Sequence, residues 1–561
     1  MEKLLKLRDE MREDLLHGSI FPFWQKYTVD VENGGFYGAV TVDQEIQKDA
    51  PKGLVLNARL LWTFAGAYRI FGDPAYKALA DRAFDYIREY FWDAENGGGF
   101  WMLNADGTVL DDTKMTYGQG FLLYAFSEYV RATGSEEARK YADLVYDYIE
   151  NECREGKYYL ENARGTGSGN GAITEAGNLS MNTHIHILEP MTCYFRIRHD
   201  RCVEESLANL IEVTGRRIYD TERHHFVMFF DSEMNPLPGE VSFGHDIEGS
   251  WLLTEAAEVL EKYGADQARA KVLLREAKEV AIHMVNFTLE HGLDADGGLF
   301  DEGYEAGGIA VPNKVWWGQA EAVVGCVNAY QLTGDERYAD TALKVWEYIK
   351  REVINGPAGE WLAVGRNSPK EENSHLLCGP WKCPYHNARA AFEICERVRC
   401  AVNGVRFVPV DAENRVRVNA FLMEHWFATD MIIRGVRVDM TKAQGIVALE
   451  NDEIAGLMMY GIDGADCEIL SLDSLRPNTG LGTALIGEAE KIARQNGCTR
   501  LKLITTNDNI HALRFYQKRG FDMARLYRNA LEVSRRMKPS IPLIGENDIP
   551  LRHEIEFEKM L

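Results

Sequence analysis

One phrase recurs six times in the first 400 residues, and it constrains the fold more than any other feature of the chain. Each copy opens on a Gly-rich or acidic turn, runs into a helix of small and aromatic residues, and returns through a second, amphipathic helix. The turns stand at 30–36, 93–98, 155–158, 222–225, 294–298 and 355–359, about 60 residues apart. A two-helix unit cannot bury its apolar face alone, so neighbouring units must stack. The leading helices are small and aromatic on all sides, as at 320–330 and 386–394, which predicts burial all round. That suits the inner ring of a closed (α/α)6 barrel better than an open superhelix. The returning helices are one-sided: over 73–90, Tyr76, Ala80, Ala83 and Tyr86 share a face.

The period stops at Val398-Arg399-Cys400. Beyond it apolar residues alternate at 407–410, 445–449, 454–460 and 467–470, with Asn451-Asp452-Glu453 as a hairpin turn. A helix over 482–495, a strand over 501–504 and a helix over 509–518 complete the pattern of a separate α/β domain. The 561 residues therefore divide into domains 1–399 and 400–561, with no linker rich in Pro, Gly or Ser between them. A net charge of −24 argues against nucleic acid or an anionic membrane as partner. The N-terminus lacks the apolar core of a signal peptide, and no apolar run is long enough to cross a bilayer. The ten cysteines are scattered without a paired Cys-x-x-Cys spacing, which predicts reduced thiols and a cytoplasmic protein.

Polar and aromatic groups recur where each leading helix begins: Asn57 and Arg59, Tyr117, Asn182 with His184 and His186, His245 with Glu248, Trp317 with Glu321, and Trp381 with His386. His245 and Glu248 open an apolar helical run and share one helix face. Any one of these groups could be packing or a surface ion pair. Their recurrence at one phase of the repeat predicts that all six helix starts converge on one end of a ring. Indoles beside amides and carboxylates suit a sugar, whose C–H face stacks on a ring while its hydroxyls take hydrogen bonds. Two chemistries compete. Glu248 and Glu321 could be the carboxylate pair of a glycosidase, whereas bases poised near neutral pH fit an epimerase or isomerase. Three histidines at equivalent positions favour proton transfer. His184 and His186, two residues apart on a helix, point apart, and no metal site is expected.

The segments around Asn182–His186, Gly244–Glu248, Val315–Glu321 and Pro380–Arg389 resemble the cellobiose 2-epimerases of the N-acylglucosamine 2-epimerase superfamily of (α/α)6 barrels. The likeness spans residue 1 to about 398. It implies epimerisation at C2 of the reducing-end glucose of a β-1,4-linked disaccharide such as cellobiose or lactose, without metal or nucleotide. By position, His245 and His386 are the acid/base pair on opposite faces of C2, acting through a cis-enediolate, with His386 on the glucose form and His245 on the mannose form. His186 would assist ring opening, Arg59 would stabilise the enediolate, and Glu248 and Glu321 would orient histidines or hydroxyls. Tyr117, Asn182, Trp317 and Trp381 would grip the reducing-end ring. The alternative within the superfamily is an N-acylglucosamine 2-epimerase or a mannose or aldose–ketose isomerase.

In the C-terminal part, residues 477–486 followed by Asn509-x-x-Ala512-x-x-Phe515-Tyr516-x-x-x-Gly520-Phe521 resemble the acetyl-CoA site of GNAT acetyltransferases. A Gly480-x-Gly482 turn at a helix N-terminus offers backbone N–H groups to a pyrophosphate. The resemblance makes Tyr516 the acid for the leaving thiolate, and places Gly480, Gly482, Thr483 and Asn509 at the cofactor. Pro477 stands where the family usually has Gln or Arg, which leaves Arg476 as the nearby cation. Nothing in the sequence identifies the acyl acceptor, and a non-catalytic GNAT-like module is the alternative.

Overall fold

A computed structural model of the chain describes residues 2–163, 179–369, 374–398, 405–426, 428–450, 452–476, 480–545 and 548–561. It divides into two compact units, the first closing at Val398 and the second running on to Leu561. The expected boundary at 399/400 falls outside the described residues, as does Pro477.

The helices of the first unit are α1 (Glu2–Leu16), α2 (Ile20–Tyr27), α3 (Leu54–Phe71), α4 (Pro74–Tyr86), α5 (Thr116–Thr133), α6 (Glu136–Tyr148), α7 (Met181–Phe195), α8 (Arg201–Val213), α9 (Phe243–Tyr263), α10 (Gln267–His291), α11 (Trp316–Thr333), α12 (Glu336–Tyr348) and α13 (Tyr385–Arg397). The odd-numbered helices from α3 to α13 make the inner ring. α5 packs on α7, α7 on α9, α9 on α11, and α11 on α13. Trp62 of α3 closes the circle, with its ring 5.2 Å from Tyr124 of α5 and 5.0 Å from Tyr385 of α13. α6, α8, α10 and α12 each back their own inner helix, and α1 packs on α13. The N-terminal helix thus supplies the outer member of the last hairpin, a pairing that local periodicity does not reveal.

Sequence and burial agree closely in the ring. Every residue of α5 from Thr116 to Val130 is buried, whereas α6 buries only Ala138, Ala142, Val145 and Tyr146. Glycine sets the spacing between inner helices. A Cβ on Gly120 of α5 would stand 2.6 Å from the carbonyl oxygen of His186 on α7, and one on Gly325 of α11 would stand 2.5 Å from Ile247 on α9.

The acidic turns are structural. In three of them an aspartate accepts from the N–H groups two and three residues ahead: Asp30 from Glu32 and Asn33, Asp93 from Glu95 and Asn96, Asp220 from Glu222 and Arg223. Buried lysines then clamp the turns, Lys52 to Asp30 at 2.7 Å, Lys114 to Asp93 at 3.1 Å and Lys314 to Asp294 at 2.6 Å. Short strands lead directly into α3, α7 and α9, among them Lys52–Gly53, Leu179–Ser180 and Glu240–Ser242. At two or three residues each they are too short for alternation to announce them.

The second unit is a seven-stranded sheet in the order Val405–Pro409, Gln444–Glu450, Glu453–Asp463, Asp466–Ser474, Arg500–Thr506, Glu554–Met560 and Asp522–Tyr527. Its helices are α14 (Arg415–Trp426), α15 (Leu481–Gln495), α16 (Ile510–Gln517) and α17 (Ala530–Met537). α14, α17 and the strands Asp522–Tyr527 and Glu554–Met560 lie outside the elements expected from the sequence, although Ile555 and Phe557 alternate with glutamates in the last strand. One strand pair is parallel: Asp466–Ser474 and Arg500–Thr506 are in register only from Asp466 opposite Arg500 to Ile469 opposite Leu503. Beyond those four pairs the strands part and a cleft opens. No helix among the described residues is long and apolar enough to cross a membrane.

Candidate active site

Each inner helix delivers one side chain to a continuous chain of contacts. Arg59 of α3 donates to the Tyr117 hydroxyl of α5 at 2.7 Å. The Tyr117 ring meets His186 of α7 edge-on at 4.9 Å, and the His186 ring lies 6.2 Å from His245 of α9. His245 lies 4.6 Å from Trp317 of α11, and Trp317 lies 5.6 Å from His386 of α13. Guanidinium contact returns the circuit to its start, since Arg59 stands 4.7 Å from the Tyr385 ring. Trp381 precedes α13, 42% exposed, with its ring 5.6 Å from Tyr117. Asn182 is half-buried one turn before His186 on the same face of α7. The expected site residues of the barrel are therefore brought together.

A buried ionic layer lies among them. His386 Nδ1 is 2.8 Å from Glu321 Oε1 and 3.8 Å from Glu248 Oε1. His186 Nδ1 is 2.6 Å from Glu189 Oε1, and His245 Nδ1 is 2.7 Å from the Ser242 hydroxyl. Burial, then His186, pushes the His245 imidazole down to about 3. Burial, with Arg59 and Arg389 behind it, holds His386 well below the ordinary histidine range. Burial thus favours the neutral form of both imidazoles and holds them below the near-neutral range expected from the sequence. Burial is the largest influence on Glu321 and, with Glu248 beside it, outweighs Arg389 to lift the carboxyl to about 8. His184 is set apart from this group. Its Nδ1 faces the Ser180 carbonyl at 2.7 Å while its Nε2 accepts from the Tyr159 N–H at 3.2 Å, which fixes its tautomer and leaves it a structural residue.

Arg389, Glu189 and Glu360 received no role in the sequence reading. Arg389 donates to Glu189, Glu248 and Glu321. Glu360 is fully buried with φ at +54°, a left-handed conformation that costs a non-glycine residue. It accepts from Lys382 at 2.9 Å and Asn387 at 2.7 Å, tying down both sides of the segment that carries His386. The only local signal was spacing: His186 and Glu189 repeat the three-residue step of His245 and Glu248. Donor atoms of His186, His245 and Glu248 lie within 4.8 Å of one another, as do those of Glu248, Glu321 and His386. That spacing could hold a cation, but the Arg389 guanidinium already sits on Glu248 and Glu321 and supplies positive charge there.

In the second unit, Arg476, Gly480, Gly482, Thr483, Asn509 and Tyr516 all line one cleft of about 620 Å3 where the parallel strands part. Gly480 caps α15 with φ at +89°, and a Cβ on Gly482 would stand 3.0 Å from the Phe515 ring. Tyr516 lies under the cleft, its hydroxyl pushed up by burial and by Asp473. The Arg476 guanidinium pairs with Glu450 at 2.5 Å. Arg519, which the sequence reading passed over, donates to Thr483 at 2.6 Å beside the α15 N-terminus. Asn509 caps α16 by accepting from the Ala512 N–H at 2.9 Å.

The first unit is thus a closed (α/α)6 barrel with a polar rim, and the second is a split α/β sheet with a cleft where its parallel strands part. Residues 35–390 match the N-acylglucosamine 2-epimerase (GlcNAc 2-epimerase) family, and the chain belongs to it. Residues 417–521 match the acetyltransferase (GNAT) family. The chain is 38% identical over 411 residues to the cellobiose 2-epimerase of Bacteroides fragilis, covering 70% of this chain and 99% of that one. A solved cellobiose 2-epimerase from Bacillus thermoamylovorans superposes with a TM-score of 0.63 at 34% identity, covering 70% of this chain and all of that one. The C-terminal part is 46% identical over 142 residues to YdhI of Bacillus subtilis, covering 25% of this chain and 89% of that protein.

Proposed function

We propose that the barrel epimerises C2 of the reducing-end glucose of a β-1,4-linked disaccharide, with cellobiose or lactose as substrate. The observation that carries this is that two neutral imidazoles, His245 and His386, both pack against Trp317, their rings 4.6 and 5.6 Å from its indole. A sugar ring lying on that indole has C2 between them. His386 removes the C2 proton of the glucose form, the electrons pass into a cis-enediolate, and His245 delivers a proton to the opposite face. Arg59 meets the developing negative charge. His186, held by Glu189, exchanges the proton of the ring-opening hydroxyl. Tyr117, Asn182 and Trp381 hold the ring. C2 inversion needs a donor on both faces, whereas aldose–ketose isomerisation needs one. Proton NMR of cellobiose with the protein in D2O tests the reading: glucosyl-mannose carrying deuterium at C2 is expected, and a ketose as the main product would overturn it.

For the second unit we infer acetyl-CoA binding along the parted strands, with the pyrophosphate on the Gly480–Thr483 turn and Tyr516 protonating the leaving thiolate. The cleft, the left-handed Gly480 and the bare Gly482 backbone support this. Calorimetry of the full chain with acetyl-CoA tests it, and an absence of binding heat would count against it.

A further inference from the structure

We propose that Arg389 is the positioning residue for His386 and His186 together, and that His245 is supported independently of it. The proposal rests on the epimerase reading above. The step of three residues from His386 to Arg389 puts both on one face of α13, one turn apart. The guanidinium is 1% exposed and lies 4.4 Å from the Tyr385 ring and 4.9 Å from that of Trp251, contacts that fix its plane. Its two amino corners face different helices. Nη1 donates to Glu189 of α7 and to the Tyr385 hydroxyl, while Nη2 donates to Glu248 of α9 and, at 2.8 Å, to Glu321 of α11.

Two of these carboxylates pass the contact on to a histidine. Glu189 Oε1 meets His186 Nδ1 at 2.6 Å, and Glu321 Oε1 meets His386 Nδ1 at 2.8 Å. A buried carboxylate without a cation takes up a proton. A protonated Glu321 would donate to His386 Nδ1, move the imidazole proton to Nε2, and leave that nitrogen an acid where a base is needed. The guanidinium works against this by supplying charge to three carboxylates at once through a rigid fork, so its loss would shift protonation of Glu321 to still higher pH. A lysine ammonium, a compact point charge, does not span the same three. His245 is built differently, with its Nδ1 on the Ser242 hydroxyl at 2.7 Å. One C2 base is therefore supported through charge and the other through a neutral hydroxyl.

The difference can be read in the two half-reactions. A single base exchanges the C2 proton of the epimer it deprotonates, even when inversion fails. Exchange in D2O is followed by NMR on cellobiose and on glucosyl-mannose separately, with the full-length wild type and Arg389→Lys. The wild type should exchange both. The variant should lose exchange on cellobiose, and epimerisation with it, by about 100-fold, the scale of a slightly misplaced catalytic group. Ring opening through His186 is common to both epimers, so exchange on glucosyl-mannose should fall too, but clearly less than exchange on cellobiose, with KM changed less than kcat, and that retained exchange certifies its fold. Arg389→Gln, which keeps planar donors without the charge, should behave alike. In variants with wild-type circular dichroism, equal loss on both epimers, or loss on neither, would overturn the assignment. A wild type that exchanges neither epimer would instead remove the epimerase reading itself.

Discussion

His386 Nδ1 and Glu321 Oε1 lie 2.8 Å apart in a buried layer, and the carboxyl of that pair is lifted to about 8. His386 is a base at Nε2 only when Glu321 is ionised and accepts the Nδ1 proton. The sign follows: lowering the pH protonates Glu321 and silences the base, so epimerisation should rise with pH through about 8 and level off above it. Glu321→Gln should abolish that limb and lower kcat by about 100-fold. Initial rates on cellobiose across pH 6–10, for both proteins, check it.

The carboxyl of Glu189 should govern acid stability. Burial works against its ionisation, but Arg389 and His186 outweigh it and hold the group down to about 2, from an ordinary 4.5. A group lowered on folding contributes stability above its unfolded value and loses it as the pH falls toward its folded one. Melting curves of wild type and Glu189→Gln should therefore converge as the pH is taken from about 4.5 toward 2.

Gly244 faces the indole that the two bases share. A Cβ there would stand 2.4 Å from the Trp317 ring, closer than any real contact. Gly244→Ala should displace Trp317 and raise KM for cellobiose by about tenfold with a smaller change in kcat, since stacking contributes about 1 kcal/mol. Steady-state kinetics separate the two parameters.

Close approach of the inner helices makes a stability prediction. The methyl of Gly120→Ala would press on the His186 carbonyl oxygen at 2.6 Å, where backbone cannot yield cheaply. A loss of about 1–3 kcal/mol is expected from overpacking, against no comparable loss for Gly239→Ala, an exposed position without a left-handed φ where nothing lies within 4 Å. Urea denaturation followed by tryptophan fluorescence measures both.

At the second site, Gly482→Val should abolish acetyl-CoA binding, because the side chain would collide with Phe515 and fill the turn. Arg519→Ala should weaken it by about tenfold by removing the cation beside Thr483. Arg476→Ala should do less to affinity than to stability, because its partner is the buried Glu450. Calorimetry and melting of the same preparations resolve these effects.

Much of the architecture was legible in local pattern. Small and aromatic residues on every side announced the inner ring, and one polar group at each helix start announced where its side chains would meet. Helical geometry alone puts residues three apart on one face, which is why His245 and Glu248, or His386 and Arg389, could be read as neighbours. The role of the N-terminal helix as the last outer member could not be read this way, because α1 meets α13 only when the ring closes.

The partnerships within the site belong to tertiary structure. His186 and Glu189 have the same spacing as His245 and Glu248, yet Glu189 binds its own histidine while Glu248 turns to Arg389 and His245 turns to Ser242. Arg389 reaches partners 141 and 200 residues away in the chain. Local spacing sets which side chains share a helix face. Which charge each one meets depends on what neighbouring helices bury against that face, since a buried carboxylate binds whichever cation the packing delivers.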